Sequence, residues 1–512
     1  MNILLLSMPD SFEHMPTVAI RMPNGALASL AGNVDAHHAV AIADLILVQS
    51  TVRQTVERLI RDHAPDVVGL SVMTFQRATA LKVARLIRSI RPRTRIVAGG
   101  YDPTLAPEAY EPSPDIEFIV RGEGEQPFAE LLRAIESSTS VDSIASLSYR
   151  VAGRFVHNPA RPVLRLADNP LRLPNRAARV LTGYTQMGRA VDVVETSRGC
   201  TYDCSFCSII EMRGRNFHPY PVDRVLADIA DARGRGAEAI FLVDDNITLD
   251  VDRFEALCHA IVEAGFNDID YTVQAMTAPL AQHGARLAPA MRRAGFRYVF
   301  LGIENILDED LAFLRARLKN AHREHGRTIG NASIAAIEHL HRHGMYVVGG
   351  LIVGNPTDTR EAVAANLSFA QRYVDWPYIQ HPTPYPRTPM SEEFARRNLI
   401  IDSDVSHYDG TTAVVRTEHL SADEVEFMRW KVERWMKARH LPVALAHNPA
   451  FVARHALKMI AHTFAGSSWR SALGFEPAES AFERFRARRR AERNYLTLEP
   501  HELLSAPAHH AA

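Results

Sequence analysis

Cysteine is nearly missing from this chain, with four in 512 residues. That scarcity excludes a disulfide-stapled scaffold and fits a reducing compartment, so a cytoplasmic location is expected. An excess of charge of either sign is missing too. The 58 Lys and Arg stand against 59 Asp and Glu, for a formal net charge of −1. A polyanion-binding surface would show a strong basic excess, so no nucleic-acid partner is expected. Long apolar runs are absent, and none reaches the length of a membrane span. The opening Met1-Asn-Ile-Leu-Leu-Leu-Ser7 has no basic flank, and Pro9-Asp10 follow where a small-residue cleavage site would stand. It reads as a buried first strand rather than a leader. Hydrophobic content of 46% and charged content of 23% are those of a globular chain long enough for two or three domains.

The cysteine that is present is concentrated. Three of the four fall in Cys200-Thr-Tyr-Asp-Cys204-Ser-Phe206-Cys207. An odd number of thiols cannot all pair as disulfides, and structural zinc sites draw their ligands as two spaced pairs. Cys258 is the only other thiol, and its surroundings, Phe254-Glu-Ala-Leu-Cys258-His-Ala-Ile261, read as an amphipathic helix in which it is a small buried hydrophobe. Three thiolates on a four-iron, four-sulfur (4Fe–4S) cluster leave one iron open, as a catalytic metal requires. On spacing alone, zinc or a purely structural cluster is the alternative.

Residues 1–140 alternate short apolar runs (Ile3–Leu6, Val40–Leu47, Val67–Ser71, Ile96–Ala98, Phe118–Val120) with helical patterns such as Thr51–His63 and Gln76–Ile90. The alternation predicts an α/β fold, a doubly wound, Rossmann-like parallel sheet whose ligands bind beyond the carboxyl ends of its strands. There stand Ser71-Val-Met-Thr74, Gly99-Gly100-Tyr101 and Gly122-Glu123-Gly124-Glu125. Residues 141–185 are dense in proline and read as an irregular linker. From 186 to 390 a second series begins, with candidate strands Val191–Glu195, Ala239–Val243, Asp270–Val273, Tyr298–Leu301, Tyr346–Val353 and Tyr378–Gln380. Six such units suit a partial (β/α)6 barrel of the TIM type, with active residues at the carboxyl ends of the strands. Residues 391–512 read as a helical C-terminal region able to cover the barrel mouth. Ser421-Ala-Asp-Glu424 is a capping box. Arg429, Lys431, Arg434, Lys437, Arg439 and the run Arg484–Arg493 read as solvated basic faces, and His509-His510 as a tail.

The cysteine spacing, with Phe206 before the last thiol and Glu195-Thr-Ser-Arg-Gly-Cys200 leading in, resembles the radical S-adenosylmethionine (SAM) superfamily. In that family the open iron chelates the amino and carboxylate groups of SAM, and an electron from the cluster cleaves the sulfonium. The resemblance makes Cys200, Cys204 and Cys207 the cluster ligands. It implies further contacts to SAM: Asp244 and Asp245 for the amino group, Glu304 for the ribose hydroxyls, and Gly350, Ile352 and Gly354 for adenine. Many relatives carry an arginine two residues after the glutamine of the third strand. Met276 stands there, leaving Gln274 toward the ribose. Pro384-Tyr-Pro-Arg387-Thr matches the element common after the sixth strand, except that Arg387 replaces glycine.

The N-terminal turns together resemble the cobalamin-binding domain that precedes one large class of these enzymes: Ser-x-x-Thr (Ser71, Thr74), Gly-Gly (Gly99, Gly100) and Gly-Glu-Gly-Glu (Gly122, Glu123) in order. No Asp-x-His-x-x-Gly follows the first strand, so histidine ligation of cobalt is not expected, although His14 is near the right place.

The resemblance implies three cofactors (a 4Fe–4S cluster, SAM and cobalamin), a small-molecule substrate, and an electron donor such as flavodoxin or ferredoxin. The expected function is methylation of an unactivated carbon. Oxidative ring formation, as in the anaerobic porphyrin cyclases, is the alternative with the same cofactors. The methylthiolating RNA enzymes share the three-cysteine core but need a second cluster held by N-terminal cysteines, and residues 1–199 contain none. A cobalamin sensor with a vestigial barrel would not keep every SAM motif populated.

Overall fold

The computed structural model describes residues 1–11, 20–163, 165–166, 171–324, 327–447, 449–450, 452–454, 456–457 and 468–496. His14, His509 and His510 lie outside them. Five parallel strands, Asn2–Ser7, Ala39–Asp44, Val67–Ser71, Arg95–Gly99 and Phe118–Val120, form the first sheet, in the spatial order second, first, third, fourth, fifth. The unbroken apolar runs follow from this burial. Leu4 and Leu6 face one core, Ile3 and Leu5 the other, and helices cover both sides. The strand order reverses beside the first strand, which opens a crevice at the carboxyl ends. The second strand is shorter than its apolar run, because Leu45–Thr51 turns away as 3-10 helix.

The linker is not irregular throughout. Leu147–Val151 and Arg154–His157 form an antiparallel hairpin that extends the first sheet, with Phe118 opposite Tyr149. Its two-residue turn, Ala152-Gly153, has positive φ at both positions (50° and 85°), as a type I′ turn demands. The prolines that suggested a loop begin only after it, at Pro159.

The second sheet carries six parallel strands in sequential order: Arg189–Val194, Ala239–Leu242, Asp270–Met276, Phe296–Glu304, Tyr346–Ile352 and Trp376–Gln380. Their sequential pairing and flanking helices make the expected partial barrel. Two short strands extend its first edge. Thr185–Gln186 pairs antiparallel with the first barrel strand, and Ile20–Arg21, from the first domain, pairs antiparallel with Thr185–Gln186. The two domains thus share main-chain hydrogen bonds.

Beyond the barrel, the helix Ala422–His447 opens with the expected capping box: Glu424 N donates to Ser421 Oγ at 3.2 Å and Ser421 N to Glu424 Oε2 at 3.0 Å. The helix Ala478–Arg490 packs Phe482 and Phe485 around Trp430. Two arginines read as solvated are buried. Arg429 donates to the Thr411 carbonyl at 2.7 Å, and Arg489 pairs with Asp409 at 3.1 Å. Arg489 answers Asp409, a buried carboxylate beneath these helices that needs a cationic partner, and Arg429 closes on the backbone of the same loop. The side chains of Arg434, Lys437 and Arg439 lie outside those described. No described helix is long and apolar enough to cross a membrane.

Candidate active site

The first barrel strand ends at Val194 and the chain runs through Glu195-Thr196-Ser197-Arg198-Gly199 into the cysteine loop. Asp244 and Asp245, at the end of the second strand, pin this approach. Asp244 is buried and accepts from Thr196 N and Thr196 Oγ1, both at 2.6 Å, and from Ser197 Oγ at 2.5 Å. Burial pushes its carboxyl up to about 6 against these three hydrogen bonds. Asp245 accepts from Gly199 N at 2.7 Å and from Arg213 Nη1 at 3.0 Å. Gly199 has φ 87°, and a Cβ there would lie 2.6 Å from the Asn216 carbonyl oxygen, so no other residue fits this entry.

Cys204 is buried; Cys200 and Cys207 are partly exposed. Burial pushes the Cys204 thiol up to about 11 and the Cys207 thiol up to about 12. Thiolates in this setting need positive charge beside them, as iron supplies. The protein contributes Lys319, which acts on both thiols, lies 5.6 Å from the centre of the Phe206 ring and pairs with Glu304. Cys258 is fully buried in the helix Val251–Glu263, within the barrel's outer core.

Glu304 ends the fourth barrel strand at a register shift, with φ 59°, a left-handed conformation that side chains rarely adopt. The bulge re-aims its carboxylate toward Lys319. Asn305 beside it is fully buried and donates to the Ile352 carbonyl at 3.0 Å, which ties the fourth strand to the fifth. Gly350 lies against the Phe300 ring, and Gly354 N donates to Asp358 Oδ2 at 2.7 Å. Gln274 is partly exposed and sits opposite Phe300 in the sheet.

The second locus is an interdomain cavity of about 360 Å³, within the size range of ligand pockets. Ser71, Gly99, Gly100, Gly122 and Glu123 line it from the first domain; Glu195, Arg198, Arg213 and Asp245 line it from the barrel. Thr74 is buried beside it in the turn Thr74–Gln76 and does not line it. Gly100 has φ 103°, and a Cβ there would meet the Val72 carbonyl at 2.9 Å, so the turn passes this point only as glycine. The two domains lock here. Arg198 donates to Glu125 at 2.7 Å and to Glu195 at 2.7 Å, and all three line the cavity.

Most of the sequence-predicted residues gather in three places: the cysteine loop with Asp244 and Asp245 that pin its approach, the third to fifth strand ends, and the cavity rim, with Thr74 set back from it. Sequence reasoning missed the site roles of Lys319, Glu125, Arg198 and Arg213. Glu125 and Arg198 stand inside recognised motifs, so their charges were the available signal. Lys319, in Arg315-Ala-Arg-Leu-Lys319, carries no such signal.

Comparison with known proteins agrees with this layout. Residues 15–132 match the B12 binding domain and residues 194–370 match the radical SAM superfamily. An uncharacterized methyltransferase of Pyrococcus horikoshii is 27% identical, over 90% of this chain and 97% of that protein. An anaerobic magnesium-protoporphyrin IX monomethyl ester cyclase of Synechocystis is 26% identical over 63% of this chain, which spans 64% of that enzyme. Among solved structures, the radical SAM methyltransferase TsrM from Kitasatospora setae superposes with a TM-score of 0.64 at 19% identity, covering 77% of this chain and 78% of that one. The cobalamin-dependent SAM radical enzyme OxsB gives 0.66 at 18% identity, covering 90% and 71%.

A flavodoxin-ordered sheet is followed by a six-stranded partial barrel whose first strand leads into a three-thiol loop, the layout of an enzyme that joins a cobalamin domain to a radical SAM domain. The chain belongs to the cobalamin-dependent radical SAM enzymes. Its cofactors are a 4Fe–4S cluster, SAM and cobalamin, and the residues present fit them. Three thiols on one loop suit a cluster with an open iron, the carboxylate at the barrel mouth suits a ribose, and the glycine-lined cavity lies where this sheet takes its ligand.

Proposed function

We propose that this chain methylates an unactivated carbon of a small-molecule metabolite. One observation carries the reading. The cavity of the first domain is walled on its far side by Glu195, Arg198, Arg213 and Asp245, the residues that hold the approach to the cysteine loop. Two cofactors in these places would act on one substrate between them. When bound, the cluster and SAM supply hydrogen abstraction from carbon, and cobalamin supplies a methyl group.

The chain's own residues bind and orient. Cys200, Cys204 and Cys207 hold the cluster. Glu304 accepts from the ribose hydroxyls, with Lys319 paired to it. Asp244 and Asp245 fix the loop through Thr196, Ser197 and Gly199. Gln274, Gly350, Ile352 and Gly354 surround the nucleoside, and Ser71, Gly99, Gly100, Gly122 and Glu123 surround cobalamin, with Thr74 setting the turn beneath it. The similarity to a methyltransferase along nearly its whole length supports methyl transfer. The similarity to the cyclase supports oxidative ring formation as the second reading. Electrons would come from a flavodoxin- or ferredoxin-like donor in the cytoplasm. Turnover of the reconstituted enzyme tests the reading. Methyl transfer yields a product heavier by one CH₂ unit together with S-adenosylhomocysteine; a product with fewer hydrogens and no added carbon would establish cyclisation instead.

A further inference from the structure

We propose that Asn246 raises the reduction potential of the cluster by donating a side-chain hydrogen bond to the Cys200 sulfur, a role that rests on the cluster assignment above. Asn246 follows Asp244 and Asp245 at the end of the second barrel strand. Its Nδ2 lies 3.6 Å from Cys200 Sγ and 3.0 Å from Met276 Sδ.

The direction of the amide follows from its neighbours. Met276 N donates to Thr248 Oγ1 at 3.0 Å, so that hydroxyl is already an acceptor. Its own hydrogen is free to go to Asn246 Oδ1, 3.0 Å away. The amide oxygen is therefore held by Thr248, and the two N–H groups face the two sulfurs. A thioether is a weak acceptor and a thiolate a far better one.

Asn246 is 5% exposed, Met276 5% and Thr248 1%, so water does not compete for these groups. Lys319 acts on Cys204 and Cys207, whereas Asn246 is the side chain placed on Cys200. Reduction adds negative charge to a cluster and its sulfurs, and an N–H donor stabilises the reduced form more than the oxidised one. Met276 stands where many relatives carry arginine, so on this side of the site the amide supplies a dipole rather than a full charge.

The test is a redox titration of the reconstituted full-length enzyme, followed by electron spin resonance without SAM. N246L keeps the branched shape, at greater bulk, and removes the donor; T248V keeps the amide and removes what orients it. With iron content unchanged, N246L should shift the one-electron equilibrium about tenfold toward the oxidised form, ~59 mV lower. T248V should shift it in the same direction by less. A fully loaded N246L titrating at the wild-type potential overturns the proposal. If N246L loses its cluster, T248V decides, and an unshifted T248V overturns it. Failure of the cluster assignment itself would appear separately, as a wild-type protein that takes up no four-iron cluster.

Discussion

Arg198 and Glu125 meet at 2.7 Å across the domain boundary, and both are more than nine-tenths buried. One stands two residues before Cys200. The other opens the helix Glu125–Ser137, against the cavity. The pair joins the approach to the cysteine loop to the wall of the interdomain cavity, so neither can move alone.

This pair makes stability depend on acid. Burial alone would raise Glu125, but Arg198 and the Ser29 hydroxyl bring its carboxyl down from 4.5 to about 2. A depressed acid contributes stability above its unfolded value and loses it as pH falls through the folded one. Thermal melting of the wild type should thus weaken as pH falls from 4.5 toward 2. Glu125→Gln should be about 2 kcal/mol less stable at neutral pH and should lose less over that acid range. Parallel slopes in the two proteins would show that the pair is not responsible.

Iron analysis separates the four cysteines. Replacing Cys200, Cys204 and Cys207 together by alanine should abolish the brown colour and the roughly four irons per chain of the reconstituted protein. Cys258→Ala should keep both, at a cost of about 1 kcal/mol for the small cavity it leaves in the core. Iron loss of equal severity in Cys258→Ala would move the cluster elsewhere.

Glu304→Gln keeps shape and removes charge. If the carboxylate clamps the ribose, SAM affinity should fall by about ten- to a hundredfold per lost hydrogen bond. The same change leaves Lys319, largely buried and raised by Glu304, without its carboxylate, so melting should fall as well. Cobalamin content should not change. Equilibrium titration with SAM is the decisive measurement, and normal affinity in a destabilised protein would assign Glu304 to Lys319 alone.

Cobalamin should bind with no protein nitrogen on cobalt. Among the described residues that line the cavity, none is histidine. Electron spin resonance of the cobalt(II) form should therefore show no axial nitrogen splitting. A nitrogen triplet that disappears in His14→Ala would overturn this. Gly100→Ala, which brings a Cβ to 2.9 Å from the Val72 carbonyl at positive φ, should lower cobalamin uptake and stability together.

Local pattern made much of the molecule legible in the sequence. Two series of strands and helices, the cysteine spacing and the glycine turns at strand ends are each written within a few consecutive residues, because hydrophobic period and turn chemistry are local. What escaped is long-range. The hairpin of Leu147–Val151 and Arg154–His157 joins the first sheet only because the edge at Phe118 is open to it. Ile20–Arg21 leaves its own domain to pair in the barrel sheet. Arg429 and Arg489 look solvated until Asp409 and its loop draw them inside. Lys319 becomes a site residue only when the bulge before Glu304 turns a carboxylate toward it. The sequence by itself determined the class of chemistry the chain carries, since thiol spacing and strand-end motifs are local patterns that form without reference to distant parts. Tertiary structure alone decided how the two cofactor places are held together, because a buried charge takes whichever partner the packed chain brings within reach, however far away in sequence.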